Sequence, residues 1–261
     1  MHNGDLLLRF TGPAFLLVLV ILLVKRKHHR EFPFFFTYAI FSIIAAIARQ
    51  TASSHPVGYF IVYWSAEALY GILALLVLRE VFHHVFSVEY ELHPWIRFPL
   101  PVTVILILGF SVLQGIHHTT GYGRTQFITE MIYWFDLGVH AFQGGLLLLL
   151  LALQVVFPVR WLRYEFGIII GFGCNAVFTM AADLLRFDFG SKYESFFQYA
   201  PPLGYFLAIL FWLHAFSAPP EELRRTAHDP QELLDLMRRH TALAERIKEW
   251  LRHNRPFALP R

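Results

Sequence analysis

The chain has 261 residues, of which 56% are hydrophobic, 17% are aromatic and only 16% are charged. A soluble domain carries a charge on roughly a quarter of its residues, so this composition excludes an ordinary soluble globular protein. The mean hydropathy is +0.47, and the apolar residues form blocks close to the roughly 20 residues that cross a bilayer. The net charge of +3 does not indicate a nucleic-acid partner, because the basic residues lie at the ends of these blocks.

Seven apolar blocks follow one another along the chain. Each predicts a transmembrane helix, because lipid offers no hydrogen-bond partner to an unpaired backbone group. The predicted spans are about residues 5 to 24, 33 to 48, 58 to 78, 98 to 116, 128 to 156, 165 to 186 and 199 to 217. The predicted fold class is therefore an all-α polytopic membrane protein, with a seven-helix domain over residues 1–217 and a tail over residues 218–261.

The basic residues also predict the orientation in the lipid bilayer. Lys25, Arg26, Lys27 and Arg30 follow the first span, whereas Arg9 is the one lysine or arginine at its other end. Because cytoplasmic loops are enriched in lysine and arginine, we expect the N-terminus outside and the C-terminus in the cytoplasm. In that orientation 17 of the 22 lysines and arginines lie on the cytoplasmic side.

The tail has a different pattern from the spans. Asp229 and Pro230 are typical of a helix start, and apolar residues then recur at heptad spacing over about residues 230–252. The predicted apolar seam consists of Leu233, Leu236, Leu243, Ile247 and Trp250. This pattern predicts a cytoplasmic amphipathic helix, which lies on the inner membrane surface, packs under the bundle, or binds a partner, including a second copy of the chain.

Ionisable side chains inside the predicted spans are candidate functional residues, because burying them in a membrane is costly. Most of them fall in the outer half of the predicted bundle. They are Glu67 in span three, Asp136 and His140 in span five, Asp183 and Arg186 in span six, Arg9 and Arg49 at the outer ends of spans one and two, and the neutral Asn175. This set is either a site for a small ligand or ion, or a group of pairs that holds the helices together.

Glu67 has aromatic neighbours on its own helix at positions 63, 64 and 70. In such surroundings we expect its carboxylate either to be neutral or to pair with a cation such as Arg9 or Arg49. Either arrangement is compatible with a ligand site and with a simple hydrogen bond between helices.

Asp136 and His140 are four residues apart and therefore share one helix face, which Gln143 continues. A carboxylate beside an imidazole ties helices together, takes part in a ligand or ion pocket, or supports metal or proton chemistry. The spacing alone leaves these three interpretations open.

Small residues four positions apart predict close helix packing in two spans. They are Ala141 with Gly145 in span five, and Gly167 with Gly171 in span six. Prolines at positions 33, 99, 101, 201 and 202 are expected at the starts of spans, where a missing N–H costs little. Residues 79–86 are expected to continue the third helix beyond the membrane.

Chemical motifs are missing from the sequence. It contains no nucleotide-binding loop, zincin helix or serine-hydrolase elbow, and its single cysteine, Cys174, excludes an intramolecular disulfide. The last span has no lysine for a retinal Schiff base. We therefore expect neither an enzyme nor a bound metal or cofactor.

The seven spans, the short outer loops and the exiting tail helix resemble the seven-helix membrane sensor region of bacterial histidine kinases and cyclases. The resemblance covers residues 1–217 and implies a bacterial inner-membrane sensor. The residues after 217 are too few for a kinase or cyclase domain, and His240 lacks the sequence context of a phosphoacceptor, so the expected output passes through a partner. Two other functions fit the same sequence, an accessory or assembly subunit of a membrane complex and a small-solute transporter.

Overall fold

A computed structural model of the chain describes residues 3–85, 98–118, 124–156, 163–189 and 194–217. These residues form seven α-helices and one turn of 3₁₀ helix (His28–Arg30), and contain no β-strand. The helices are α1 (Asn3–Lys25), α2 (Pro33–Ala52), α3 (Pro56–Val85), α4 (Pro99–His118), α5 (Arg124–Val156), α6 (Arg163–Phe189) and α7 (Glu194–Ser217). The predicted all-α fold is confirmed for this part of the chain, whereas the predicted tail helix at residues 230–252 lies outside it.

Within the described residues, four helices are long and apolar enough to cross a membrane. They are α2, α3, the stretch Arg163–Asp183 of α6 and the stretch Tyr199–Ser217 of α7. The described parts of α1 and α4 contain shorter apolar stretches, Thr11–Lys25 and Pro101–Gln114. The protein is therefore membrane-like and helical, while the seven spans and their orientation remain predictions.

Each predicted span corresponds to one helix, with differences at the ends. Helix α3 continues to Val85, as expected from residues 79–86. Helix α7 begins at Glu194, so Pro201 and Pro202 lie inside it rather than at its start. The predicted span, residues 199–217, matches the stretch Tyr199–Ser217 of this helix that is long and apolar enough to cross a membrane, and proline is tolerated within apolar helices when neighbouring groups satisfy the freed carbonyl.

Six of the helices close into a ring. Its order is α1, α2, α3, α5, α6 and α7, because α3 contacts α5 and α7 returns to contact α1. Helix α4 packs on α5, outside the ring. We name the two ends of this bundle by the links that lie there, the 26–32 end between α1 and α2 and the 53–55 end between α2 and α3.

Large aromatic side chains fill the bundle toward the 26–32 end. Trp212 of α7 is fully buried, and its ring centroid lies 5.2 Å from those of Phe35 and Phe172. Phe35 also stacks on Phe216 at 5.5 Å. Burial of these rings provides much of the packing energy of the core.

Gly167 and Gly171 let α6 approach α7 closely, as their spacing predicts. A Cβ atom at Gly171 would overlap the indole of Trp212, and one at Gly167 would overlap the side chain of Ala215. The indole N–H of Trp212 donates to the carbonyl of Ile168 at 3.3 Å. The small residues of this face are therefore a packing requirement.

The second predicted pair of small residues does not pack in this way. A Cβ atom at Gly145 would meet nothing within 4 Å, and Ala141 is exposed. The contact lies one turn earlier, where Gly138 adjoins Ile107 of α4. The prediction for Ala141 and Gly145 was wrong because four-residue spacing places two residues on one face without showing which neighbour that face meets.

Helix α2 begins without a cap from its own side chains, and Glu80 of α3 supplies one. Pro33 occupies the first turn, and the preceding Phe32 makes no side-chain capping bond. The backbone N–H groups of Phe34 and Phe35 donate to the two carboxylate oxygens of Glu80, each at 3.1 Å. A negative charge there also interacts favourably with the helix dipole. The end of α3 thus fixes the start of α2.

The link at residues 26–32 is also held by polar contacts. Arg26 donates to the carbonyl of Ser217, the last residue of α7, at 2.6 Å. His28 is buried, with its Nδ1 atom 2.8 Å from a carboxylate oxygen of Glu31 and its ring 4.4 Å from that of Tyr164. This link therefore joins the start of α2 to the end of α7 and the start of α6.

We expect Gly171→Ala to lower the thermal stability of the detergent-solubilised protein, because the added methyl group overlaps a buried indole. Overpacking of this kind costs about 1–3 kcal/mol. The matched control is Gly145→Ala, where the added methyl group meets open space and alanine has the better helix propensity. An equal loss of stability in both variants would contradict the close contact at Gly171.

We expect Glu80→Ala to cost about 0.5–2 kcal/mol, the usual range for the loss of a helix cap. Hydrogen–deuterium exchange should become faster at the amides of Phe34 and Phe35, which lose their acceptors. The neighbouring and exposed Arg79→Ala serves as the control. Unchanged exchange in peptides covering residues 33–36 would show that this carboxylate does not stabilise the helix start.

Candidate functional site

An ion pair joins the last turn of α2 to α3. The Nη2 atom of Arg49 lies 2.7 Å from the Oε1 atom of Glu67, and the two side chains are only 27% and 21% exposed. Of the two cations considered for Glu67, the structure pairs it with Arg49. The side chain of Arg9 lies outside the described residues.

Two tyrosines of α3 surround the guanidinium group of Arg49. Its Cζ atom lies 5.0 Å from the ring centroid of Tyr63 and 5.5 Å from that of Tyr70. These are distances at which the electron-rich ring faces attract a cation. The Tyr70 hydroxyl also donates to the backbone carbonyl of Ser42 on α2, at 3.5 Å. Tyr63 was identified above only as an aromatic neighbour of Glu67, and its contact with Arg49 could not be read from the sequence.

Both ring nitrogens of His140 lie close to polar atoms of other residues. Its Nδ1 atom lies 2.9 Å from the backbone oxygen of Asp136 and 3.3 Å from the Oδ2 atom of the same residue. Because a carbonyl oxygen only accepts hydrogen bonds, Nδ1 carries the proton. The amide nitrogen of Asn175 on α6 lies 3.5 Å from Nε2, which is then the acceptor.

These two groups form a single cluster. Phe135, next to Asp136 in the chain, adjoins Gly71 of α3, which is one turn from Glu67. We call this set the charged cluster, and its members are Arg49, Glu67, Asp136, His140 and Asn175. Helices α2, α3, α5 and α6 therefore bring together five of the eight candidates identified from the sequence.

The structure does not place the other three candidate residues in the charged cluster. Asp183 is half-buried about two turns from Asn175 along α6 and interacts with other residues. The side chain of Arg186 lies outside the described residues, as does that of Arg9. The same holds for the tail residues Leu233, Leu236, Leu243, Ile247 and Trp250.

One face of α5 connects the charged cluster to the 53–55 end. Thr129, Tyr133, Asp136, His140 and Gln143 follow one another at spacings of four and three residues, which places them on a single face about 21 Å long. Near the start of this face lies a cleft of about 260 Å³, lined by Trp64, Thr129, Glu130 and Tyr133. Tyr133 is one turn from Asp136, so the cleft adjoins the charged cluster.

The same face becomes apolar beyond Gln143. Gln143 is only 4% exposed, and its Oε1 atom has no hydrogen-bond partner. The next residues on this side of α5 are Leu146, which is buried, and Leu147, which packs on the core. The polar face therefore opens at the 53–55 end and stops against the aromatic core.

Sequence reasoning identified the centre of this site but not its opening. Glu130 and Thr129 were not among the candidates, although their helical spacing from Tyr133 and Asp136 was a usable signal. Within the described part of the chain, no group of three His, Cys, Asp or Glu residues could hold a metal ion. The arrangement is suited to binding by charge, hydrogen bonds and aromatic faces.

We expect the Arg49–Glu67 pair to show energetic coupling in a double-mutant cycle. Arg49→Met and Glu67→Gln should each cost about 1–3 kcal/mol, because each leaves a partly buried polar group without its partner. The double variant should lose less than the sum of the two. The observable is the free energy of unfolding in detergent. A control cycle with the exposed neighbour Gln50→Met should be additive, and additivity at Arg49 would exclude the coupling.

No protein-family model matches the chain, and no curated protein or solved structure matches it either. The resemblance to bacterial sensor regions therefore stays a prediction based on topology. What the chain does has to be inferred from the charged cluster and from the face of α5 that leads to it.

Proposed function

We propose that the protein is a receptor-like membrane sensor, which binds a small ligand at the charged cluster and passes its output to a partner. The observation that supports this most directly is the one-sided polar face of α5. It begins at a cleft, passes Asp136 and His140, and ends at Gln143 against apolar side chains. Such a shape suits a site that a ligand enters and leaves from the same side.

Stability alone is a weak reason for so many buried charges. Burying an ion pair costs desolvation energy that its attraction often only offsets, and apolar residues of similar size commonly stabilise a core as well. The cluster nevertheless holds Arg49, Glu67, Asp136 and His140 in one region. Ionisable groups inside a membrane bundle usually serve binding or transport.

The apolar half of the bundle favours a sensor over a transporter. A transporter must expose its site to each side of the membrane in turn. Here Phe35, Phe172 and Trp212 are packed ring against ring between the charged cluster and the 26–32 end. The other alternative is an accessory subunit. In such a protein the only role of the ionisable residues would be to hold the helices together.

The route to a partner is proposed to run through the 26–32 end. Glu80 joins α3 to the start of α2, and Arg26 joins the adjoining link to Ser217. The predicted amphipathic helix of the tail follows Ser217 in the sequence. In the predicted orientation the cluster faces the outside of a bacterial inner membrane, and the tail lies in the cytoplasm.

The test is retention of a small molecule by the full-length protein. The protein is incubated with a small-molecule cell extract and purified in mild detergent, and its bound compounds are identified by mass spectrometry. We expect a compound that is retained by the wild type and lost from Glu67→Gln and Asp136→Asn. Ser111→Ala on α4 is the matched control, because it removes a buried hydroxyl that bonds its own helix at Ile107.

Helical content measured by circular dichroism shows that the variants are folded. Retention of the compound in every folded variant would mean that the charged cluster is only structural. Absence of any retained compound, together with a stoichiometric protein partner, would replace the sensor with the accessory subunit.

A further inference from the structure

We infer that the ligand of this site is a small organic cation, specifically a protonated amine that passes the cleft and binds against Asp136. This inference rests on the proposed function and adds the chemical class of the ligand. It follows from the charge, the hydrogen-bonding groups and the aromatic residues of the site.

Among the side chains that the structure describes, the charges of the cluster leave one carboxylate without a cation. Arg49 and Glu67 neutralise each other at 2.7 Å. When Nε2 of His140 accepts from the amide nitrogen of Asn175, 3.5 Å away, the ring that contacts Asp136 is neutral. One negative charge therefore remains at Asp136, and a buried charge of this kind favours a positive partner.

Two turns further along the same face, about 10 Å from Asp136 along the helix axis, lies a buried acceptor with no partner among the residues that the structure describes. Gln143 is the next residue on the same face of α5 after His140, is almost fully buried, and has an unpartnered Oε1 atom. An ammonium group carries donors and no acceptor, so each of these two acceptors favours it over an anion. The unpartnered Nε atom of Arg49 does not indicate an anion, because the rings of Tyr63 and Tyr70 stabilise this guanidinium group.

The residues that line the cleft also favour an organic cation. Trp64 and Tyr133 provide aromatic faces, Glu130 provides a carboxylate, and Thr129 provides a hydroxyl group. Aromatic faces and a carboxylate together attract an organic cation and repel an anion. The volume of about 260 Å³ is slightly below the range of drug-sized pockets, which favours a small molecule.

The experiment compares three molecules of one shape and different charge. The probes are 2-phenylethylamine, which is protonated at pH 7, the neutral 2-phenylethanol and the anionic phenylacetate. A parallel series uses ethylamine and ethanol, in case an aromatic ring is too large. Each is titrated into the full chain in lipid nanodiscs, and the melting temperature is followed at fixed ionic strength.

We expect at least one amine to raise the melting temperature in a saturable manner, and the alcohols and the acid to have no such effect. Asp136→Asn should weaken the apparent affinity for that amine at least tenfold. Glu130→Gln should weaken it less, because this residue lines only the cleft. Ser111→Ala should leave the affinity unchanged.

Three results would overturn the inference. Stabilisation by the alcohol or the acid, without the amine, would assign the site to another chemical class. Equal stabilisation by sodium chloride would assign it to an inorganic cation. A stability that depends on pH but on no probe would mean that a proton on His140 balances Asp136. Each of these leaves the retention experiment above to decide separately whether a ligand is bound at all.

Discussion

Two glutamates of α3 hold the two ends of α2, and the site depends on this arrangement. Glu80 accepts hydrogen bonds from the first turn of α2, and Glu67 pairs with Arg49 in its last turn. Both contacts agree with the dipole of α2, which favours a negative charge at its start and a positive charge at its end. Since the two glutamates lie about 20 Å apart on one helix, α2 has a fixed position along α3.

The bundle is divided along its length by the kind of residue that fills it. Toward the 26–32 end, aromatic rings and the small residues Gly167 and Gly171 let α6 and α7 pack closely. Toward the 53–55 end, the space between α3 and α5 holds charges, amides and a cleft. Close packing in the first half keeps the helices at defined distances, so the second half can keep polar groups in place that contribute little to stability themselves.

The sequence predicted the helices and the centre of the site better than their contacts. Apolar block length is a local property, so each predicted span corresponds to one helix, and the last one matches the apolar stretch Tyr199–Ser217. Asp136 and His140 share a face by spacing alone, and their contact was foreseeable. The partner of Glu67, the cap from Glu80 and the packing of Gly138 depend on which helices are neighbours, and the order of a ring is not encoded in any single span.

The double attachment of α2 has a mechanical consequence. If the pairing of Glu67 with Arg49 is broken, the attachment of α2 at Phe34 and Phe35 persists. Helix α2 can then rotate about its first turn, and a tilt of a few degrees displaces its last turn most. The first turn adjoins the link that Arg26 joins to Ser217, so the same rotation applies a torque at the point where the chain leaves the bundle.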